Sequence, residues 1–311
     1  MIPSVFIDGE AGTTGLQIRQ RLEGRVDLKL LSIDPDKRKD ASARAELLNS
    51  ADAVILCLPD DAAREAVGLV ENPNTRIIDA STAYRTDAAW TYGFAEMTKG
   101  QRAAIAGAKR ISNPGCYPTG AIGLIRPLVE AGLLPTEWPI TINAVSGYSG
   151  GGKAMIAEFE TRQTQDNFRL YGLGLAHKHV PEIQAHGGLL TRPIFSPSVG
   201  RYAQGMLVEI PLHLTMLPGG PSLGDVHKAL ADHYAGETFV EVAALAESRA
   251  MTGLDPEGLN DTNRMKLFVF GSEDAGQARL VALLDNLGKG ASGAAVQNLN
   301  LALGLEETAG L

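Results

Sequence analysis

The chain of 311 residues has 44% apolar and 21% charged residues and a formal net charge of −8. This is the composition of an ordinary globular protein, and an acidic chain without a basic stripe argues against nucleic-acid binding. No run approaches the ~18 apolar residues of a membrane span, and no secretory signal is expected. Cys57 and Cys116 are the two cysteines, and a cytoplasmic protein with reduced thiols is expected. The length predicts two domains, or one domain with a large insertion.

The first third of the chain alternates short apolar runs with helical patterns. Strands are predicted at residues 4–8, 27–33, 53–58 and 76–79. Helices are predicted after a Gly-rich turn within residues 9–24, at 41–48, and at 60–70, where Asp60 is the expected N-cap. Apolar strands separated by helices indicate a parallel sheet that is covered on both faces.

The pattern changes near residues 111–116, which we interpret as a domain boundary. Alternating strands are then predicted at residues 140–145, 205–213, 264–270 and 278–284. Such alternation is typical of a mixed or antiparallel sheet with one open face. A Gly-rich turn at 285–290 precedes a helix predicted from about residue 291 to residue 303. The expected fold class is therefore α/β.

The segment Gly9–Gly15 joins the first strand to the first helix with the spacing G-x-x-G-x-x-G. Glycines let the backbone turn tightly and approach a pyrophosphate, which the N–H groups at the helix N-terminus then bind. The position at the first strand–helix junction favours a dinucleotide site over a tight turn without a ligand. The candidate cofactor contacts are Gly9, Gly12, Thr13, Thr14 and Gly15.

The choice between NAD and NADP depends on residues at the end of the second strand. An acid there binds the ribose 2′-hydroxyl of NAD, whereas cations accept the 2′-phosphate of NADP. The sequence offers both, because Asp34 is followed by Lys37, Arg38 and Lys39, and Ser32 is a further donor. The basic cluster favours NADP, although a solvated charge run is the commoner meaning of such residues.

Cys116 is the candidate nucleophile. It lies in Ser112–Gly120, where Pro-Gly predicts a sharp turn and Pro118 suits the first turn of a following apolar helix. The positive end of a helix dipole stabilises thiolate, which is the nucleophilic form of cysteine. Cys57 provides a contrast, because its strand of apolar neighbours predicts a packed core thiol. Pro127 is expected to kink or divide the helix.

A thiol nucleophile needs a partner for proton transfer, and the candidates are His177 and His179. Residues two apart point to opposite faces of a strand and well apart on a helix. We therefore expect at most one of the two to face Cys116. A structural zinc site is disfavoured, because no cysteine lies near the pair in sequence, and no metal is expected. A hydrogen-bonded structural histidine is the alternative for either one alone.

Six segments resemble those of the N-acetyl-gamma-glutamyl-phosphate reductase family, specifically its shorter type. In the expected order, they are residues 9–15, 78–85, 113–117, 146–153, 177–182 and 285–291, and they span almost the whole chain. The cysteine and double-histidine segments are specific, whereas the glycine turn is not. The sequence Gly-Gly-Gly-Lys at 150–153 departs from the Gly-Ala-Gly-Arg of the longer type, which is consistent with the shorter one.

The resemblance implies a Rossmann-like NADP-binding domain of residues 1–115 with 286–311, and an α+β catalytic and oligomerisation domain of residues 116–285 with a mixed sheet. It implies NADPH-dependent reduction of N-acetyl-L-glutamyl 5-phosphate to the 5-semialdehyde and phosphate, in arginine biosynthesis. Cys116 would form a thioester, and His179 is favoured over His177 as the proton carrier. A homo-oligomer, either a dimer or a tetramer, is expected.

Other site residues are assigned from the resemblance together with their chemistry. Asn113 or the N–H of Cys116 is expected to stabilise the oxyanion. Arg85 is the candidate for the substrate phosphate, because a guanidinium binds phosphate in a bidentate manner, and a surface ion pair is the alternative. The remaining candidates are Lys153 and Ser149 for the substrate and Ser81, Asn286 and Gly288 for the cofactor.

Three other functions stay open on the sequence. Aspartate-semialdehyde dehydrogenase shares the cofactor, the thioester chemistry and the overall plan, and the N-acetyl-aminoadipyl-phosphate reductase of a parallel pathway is a second rival. A protein that senses NADP without turnover is the third, because Rossmann folds host such functions. The pairing of Cys116 with two histidines disfavours the sensor, which needs neither a nucleophile nor a base.

Overall fold

The computed structural model describes residues 2–311, which contain thirteen strands and ten α-helices. The strands are β1 (Ser4–Asp8), β2 (Lys29–Leu31), β3 (Ala53–Leu56), β4 (Arg76–Asp79), β5 (Thr91–Tyr92), β6 (Arg110–Ser112), β7 (Thr141–Gly147), β8 (Phe168–Leu170), β9 (Ile194–Gly200), β10 (Met206–His213), β11 (Val240–Val242), β12 (Met265–Ser272) and β13 (Gln277–Leu284). The helices are α1 (Thr13–Leu22), α2 (Ala41–Ser50), α3 (Asp60–Gly68), α4 (Gln101–Gly107), α5 (Cys116–Glu130), α6 (Gly152–Glu160), α7 (Val180–Gly187), α8 (Leu223–His233), α9 (Leu245–Ala250) and α10 (Gly293–Leu303).

The chain forms two compact units. Unit 1 comprises residues up to Ala95, then Lys99–Gly115 and Ala291–Leu311, and unit 2 comprises Glu96–Thr98 and Cys116–Gly290. The nucleotide domain predicted from the resemblance differs from unit 1 in two places, because residues 96–98 and 286–290 belong to unit 2. Within residues 2–311, no helix is long and apolar enough to cross a membrane.

Unit 1 is built on a six-stranded parallel sheet in the order β2-β1-β3-β4-β6-β5. Alternate residues of β1 enter two separate cores, because Val5 and Ile7 pack with α10 whereas Phe6 packs with Leu48 of α2. The predicted parallel sheet with both faces covered is therefore confirmed. The chain leaves β1 toward β2 on one side and returns to β3 on the other, so the turn after β1 lies where parallel sheets bind ligands.

Several details of unit 1 differ from the sequence prediction, which did not include β5, α4 or β6. Strand β2 has three residues, shorter than predicted, and it is soon followed by a 3₁₀ turn at Pro35–Lys37 that Asp34 caps by accepting the N–H of Asp36 at 3.0 Å. Asp60 is the first residue of α3 and not its N-cap, which is Pro59. The Asp60 carboxylate instead accepts the N–H and hydroxyl of Thr82, at 2.9 and 2.5 Å.

Unit 2 contains a seven-stranded mixed sheet in the order β11-β12-β13-β10-β7-β9-β8. The pairs β7–β9 and β11–β12 are parallel, and the other neighbours are antiparallel, as the predicted mixed sheet requires. Helix α5 is almost entirely buried and includes Pro127 within its length. A Cβ at Gly120 would lie 2.8 Å from a methyl of Val208, so glycine brings α5 close to the sheet.

Candidate active site

The glycines of the first turn have different physical roles. Gly9 has a φ of 88°, and a Cβ there would lie 2.4 Å from the carbonyl oxygen of Cys57. A Cβ at Gly15 would lie 2.5 Å from the oxygen of Gly9, whereas one at Gly12 would be less crowded, at 3.3 Å. Gly12 is the N-cap of α1, and among the described residues no side chain caps this helix. The first-turn N–H groups of α1 therefore fit an anion such as a pyrophosphate.

A charged cluster lies between this turn and the end of β2. Glu10 accepts from Arg19 at 2.6 Å and from Arg38 at 3.0 Å, and Arg19 also donates to the hydroxyl of Ser32 at 3.3 Å. Ser32 directly follows β2, where an NAD site would carry its acid. Of the predicted basic residues, Arg38 joins this cluster and Lys37 is exposed to solvent. Two guanidinium groups and a hydroxyl suit a 2′-phosphate.

Arg19 was not among the residues predicted from the sequence. The available signal was its position four residues after Gly15, because residues four apart share one face of a helix. Asp34, which favoured NAD in the sequence, is exposed and caps the turn at Pro35–Lys37. Its hydrogen bond to the backbone gives it a structural role.

Ser81 and Arg85 follow the fourth strand of the parallel sheet. The Ser81 hydroxyl donates to the Asp79 carboxylate at 2.6 Å, and its N–H donates at 3.2 Å. Burial is the main factor that raises the pKa of Asp79. Arg85 is 8% exposed and donates to the oxygen of Ala80 at 3.0 Å, so it is a buried residue. Its contact with the substrate phosphate stays a prediction.

Asn113 holds the start of the last helix within unit 1. Its N–H donates to the oxygen of Asp79 at 2.7 Å, and its side-chain amide donates to the oxygen of Ala291 at 3.0 Å. Its side-chain oxygen accepts from Asn298 of α10 at 2.9 Å. These contacts give Asn113 a structural function, and a role at the oxyanion stays a prediction.

Helix α5 begins at Cys116, so the thiol lies at a helix N-terminus as the sequence predicted. The dipole and the N–H groups of the first turn favour thiolate at this position. Cys57 is the opposite case. Burial, together with the nearby carboxylates of Asp79 and Asp8, raises the pKa of Cys57 to about 12, so this thiol stays protonated at neutral pH.

The two histidines lie side by side just before α7. Their ring centroids are 4.8 Å apart, and they lie 6.1 Å and 6.0 Å from the ring of Tyr117, the residue after Cys116. The rule that residues two apart diverge does not apply here, because this segment is neither strand nor helix. That at most one of the two histidines faces Cys116 stays a prediction. His179 is buried and His177 is half-buried.

The contacts of His177 favour its neutral form. Its Nδ1 accepts the backbone N–H of His179 at 3.2 Å, which requires a lone pair on Nδ1. Burial and then the charge of Lys178 lower the pKa of His177. The ring is therefore neutral at pH 7, with its proton on Nε2.

Three aromatic side chains surround His177. Phe195 and Tyr171 lie 5.1 and 5.8 Å from its ring, and Tyr117 completes the set. Tyr171 donates to the hydroxyl of Tyr117 at 3.0 Å, and Tyr117 donates to the oxygen of Ser198 at 3.1 Å. Tyr171 and Phe195 carry no signal in the sequence that would have marked them, and the signal for Tyr117 is only its place beside Cys116.

The remaining predicted residues lie in unit 2. Lys153 is exposed in the first turn of α6, and Ser149 is buried, with its hydroxyl accepting from Asn286 at 3.0 Å. Asn286 also accepts the N–H of Gly205 at 2.7 Å. A Cβ at Gly288 would lie 2.1 Å from a backbone oxygen, so glycine is required there by packing. Contacts of Asn286 and Gly288 with a cofactor stay predictions.

Comparisons with known proteins match both parts of the chain. Residues 4–107 match the family model of the semialdehyde dehydrogenase NAD binding domain, and residues 116–286 match that of the semialdehyde dehydrogenase dimerisation domain. Proteins named N-acetyl-gamma-glutamyl-phosphate reductase from Brucella ovis and Brucella abortus (strain 2308) are 60% identical over 309 residues, covering 98% of this chain and 100% of each relative.

Solved structures show the same fold at low sequence identity. An aspartate semialdehyde dehydrogenase II from Vibrio cholerae, complexed with ASA, is 13% identical with a TM-score of 0.71, covering 97% of this chain and 98% of that one. An aspartate semialdehyde dehydrogenase with NADP from Candida albicans is 16% identical with a TM-score of 0.65, at the same coverage of both chains. Because the 60% identity extends over nearly the whole chain, the resemblance is confirmed: the chain belongs to the N-acetyl-gamma-glutamyl-phosphate reductase family.

Proposed function

We propose that this protein reduces N-acetyl-L-glutamyl 5-phosphate to N-acetyl-L-glutamate 5-semialdehyde with NADPH, in arginine biosynthesis. The substrate is the one that the names of the relatives give. The observation that carries the proposal is the thiol of Cys116 at the start of α5, next to a tyrosine whose ring contacts two histidines. A nucleophile and a base in one site suit acyl transfer.

The chemistry begins with attack of the Cys116 thiolate on the acyl carbon. A C–S bond forms, the bond to the phosphate oxygen breaks, and phosphate leaves. NADPH, when bound, supplies a hydride that reduces the resulting thioester. The thiohemiacetal on Cys116 then loses its hydroxyl proton, the C–S bond breaks, and the aldehyde leaves. The N–H groups in the first turn of α5 are suited to stabilise the oxyanion, with Asn113 as the second candidate.

We assign proton transfer to His179 and a positioning role to His177. The Nδ1 of His177 already accepts the N–H of His179, so it is not available as a base. His179 is buried, and its ring lies 6.0 Å from that of Tyr117, next to the nucleophile. His179 donates a proton to the oxyanion and removes it when the thiohemiacetal collapses.

We assign the substrate phosphate to Arg85 and the distal groups of the substrate to Lys153 and Ser149. Arg85 is buried, and a buried guanidinium binds phosphate more strongly than an exposed one. Lys153 offers an exposed ammonium to a carboxylate. Ser149 already accepts from Asn286, which leaves its hydroxyl hydrogen as the donor.

The residues of unit 1 fit NADP at both ends. The first-turn N–H groups of α1 suit the pyrophosphate, and the cluster of Arg19, Arg38 and Ser32 suits the 2′-phosphate. In line with the candidates from the sequence, Thr13 and Thr14 supply N–H groups to the pyrophosphate, and Ser81 lies at the end of β4.

Replacing Arg19 with methionine is expected to weaken binding of 2′,5′-ADP by about 10- to 150-fold, since a charge-assisted hydrogen bond contributes on the order of 1.5–3 kcal/mol. Binding of ADP, which lacks the 2′-phosphate, should stay unchanged. Lys29→Met is the matched control, because it removes one exposed positive charge from the beginning of β2. Calorimetric titration of the parent and both variants measures all six affinities, and equal weakening of both nucleotides by Arg19→Met would exclude a 2′-phosphate role.

A substrate panel tests the proposed reaction in its reverse direction. Purified protein should reduce NADP with N-acetylglutamate 5-semialdehyde only when inorganic phosphate is present. Comparable turnover of aspartate semialdehyde or of the N-acetyl-aminoadipate semialdehyde would contradict the substrate assignment. Binding of NADP without turnover of any aldehyde would instead favour the sensor.

We propose that the protein acts as a homo-oligomer, a dimer or tetramer, in the cytoplasm. Phe168 and Leu170 on edge strand β8 are 58% and 59% exposed, and Leu173 follows at 79%. An apolar edge of this kind suits pairing with a second copy. Light scattering should give the parent a molar mass that is a multiple of 32.9 kDa. This mass should be lower in the double variant Phe168→Glu/Leu170→Glu and unchanged in the control Val26→Glu. An unchanged mass in the double variant would contradict pairing at β8.

A further inference from the structure

Unit 2 contains a buried ion pair that the reaction above does not use. The Nζ of Lys289 donates to both carboxylate oxygens of Glu96 at 2.8 Å, and the two side chains are 2% and 0% exposed. The ring of Phe239 lies 5.5 Å from the same nitrogen. Burying two charges carries a large desolvation cost, and apolar residues of similar volume are often as stable. Directional geometry, which apolar contacts lack, is one reason to retain such a pair.

The Glu96 end of the pair is anchored through its backbone. Residues Glu96–Thr98 belong to unit 2, although the segments on either side belong to unit 1. The Nε2 of His233, at the end of α8, contacts the backbone oxygens of Glu96 and Met97 at 3.3 and 3.1 Å. The carboxylate of Glu96 therefore extends from a backbone segment whose position is fixed by His233.

The Lys289 end of the pair lies in a π-helical turn at Gly288–Ser292. Such turns are rare in proteins, and those that do occur are often found at functional sites. The next residue, Gly290, packs on the nucleophile: a Cβ there would lie 2.7 Å from the Cβ of Cys116 and 3.1 Å from its Cα. The N–H of Gly290 also donates to the oxygen of Asp285 at 2.9 Å. The backbone of this turn thus forms one wall of the Cys116 position.

We propose that the Lys289–Glu96 pair positions Cys116, by fixing the π-helical turn whose backbone packs on the cysteine at Gly290. The two side chains act as positioning residues and do not contact the reacting atoms. Loss of the pair lets the turn move, and the thiolate then loses its alignment with the N–H groups in the first turn of α5. This inference rests on the proposed role of Cys116 as the nucleophile.

The double variant Lys289→Met/Glu96→Leu tests the inference, because it removes both charges at similar volume. Its Tm should stay close to that of the parent. The pH profile of Cys116 alkylation by iodoacetamide should show a thiol pKa moved toward the ordinary ~8.5. We expect kcat to fall at least about 10-fold while KM changes little, as misalignment of a reacting group predicts. A double variant with the parent's thiol titration and kcat would overturn the inference.

Gly290→Ala keeps the proposal testable if the double variant does not fold. The added Cβ would crowd Cys116 while the ion pair stays intact. This variant should therefore show the same change in the pH profile of Cys116 alkylation. Gly107→Ala is the control, because within the described chain no atom approaches within 4 Å of a Cβ there. An unchanged titration in Gly290→Ala would also overturn the inference. A parent enzyme with an ordinary thiol pKa and full activity in Cys116→Ser would instead contradict the proposed function.

Discussion

Replacing Cys116 with serine is expected to lower kcat/KM by at least about 10³-fold, which is within the range for removal of an enzyme nucleophile. A serine hydroxyl titrates far above a thiol, and the N-terminus of α5 cannot ionise it to a useful extent. The phosphate-dependent reduction of NADP by N-acetylglutamate 5-semialdehyde measures the loss.

Cys57→Ala is the matched control for this experiment. The pKa of about 12 keeps the Cys57 thiol protonated, so its removal should leave kcat/KM within about 3-fold of the parent, apart from effects of a small cavity. Iodoacetamide should inactivate the parent and Cys57→Ala equally, with the label on the peptide that contains Cys116. Full activity in Cys116→Ser, or label mainly on Cys57, would contradict the thioester mechanism.

The histidine pair gives the second large expected effect. His179→Asn should lower kcat/KM by about 10²–10⁴-fold, the usual contribution of general acid–base catalysis. His177→Asn should lose less than about 10-fold, because the asparagine oxygen takes the place of Nδ1 and accepts the N–H of His179. His177→Gln places its oxygen near the position of Nε2 instead, so it should lose more activity than His177→Asn.

The dependence on pH provides a further check on these histidines. The pKa of His177 is lowered, so the ring becomes protonated only on the acid side of its ordinary range, where it loses the contact with the N–H of His179. In His177→Asn, this acid-side loss of kcat should disappear. Equal and complete loss of activity in His177→Asn and His179→Asn, with an unchanged Tm, would mean that both histidines transfer protons.

The architecture of unit 1 could be predicted because its strands are short, buried and apolar between amphipathic helices. Val5, Phe6 and Ile7 form such a run, and the structure places the strand there. Strand β9 was missed because Pro197 and two serines hide its pattern, and β8 was missed because it has three residues, two of them exposed. Local periodicity carries little information where a strand is short or irregular.

The position of Cys116 at a helix N-terminus could be predicted because its signal is local. The Pro-Gly turn and the start of the apolar helix both lie within the nine residues Ser112–Gly120, and together they define the surroundings of Cys116. The surroundings of the histidines come from distant segments, since Tyr171 and Phe195 reach His177 only through the fold. The rule that residues two apart diverge does not apply, because residues 177–179 adopt no regular structure. In the same way, Arg19 meets Ser32 only when α1 packs beside β2.

Helix α10 has a consequence for the order in which the protein can assemble during translation. Val296 and Leu299 complete the core around β1, and Asn298 holds Asn113, yet these residues follow all of unit 2 in the chain. The ribosome therefore synthesises all of unit 2 before it synthesises the last part of the unit 1 core. Until α10 is synthesised, one face of the parallel sheet formed before Cys116 stays uncovered. Exposed apolar surface of this kind promotes aggregation. The core of unit 1 is thus completed last among the residues that the structure describes.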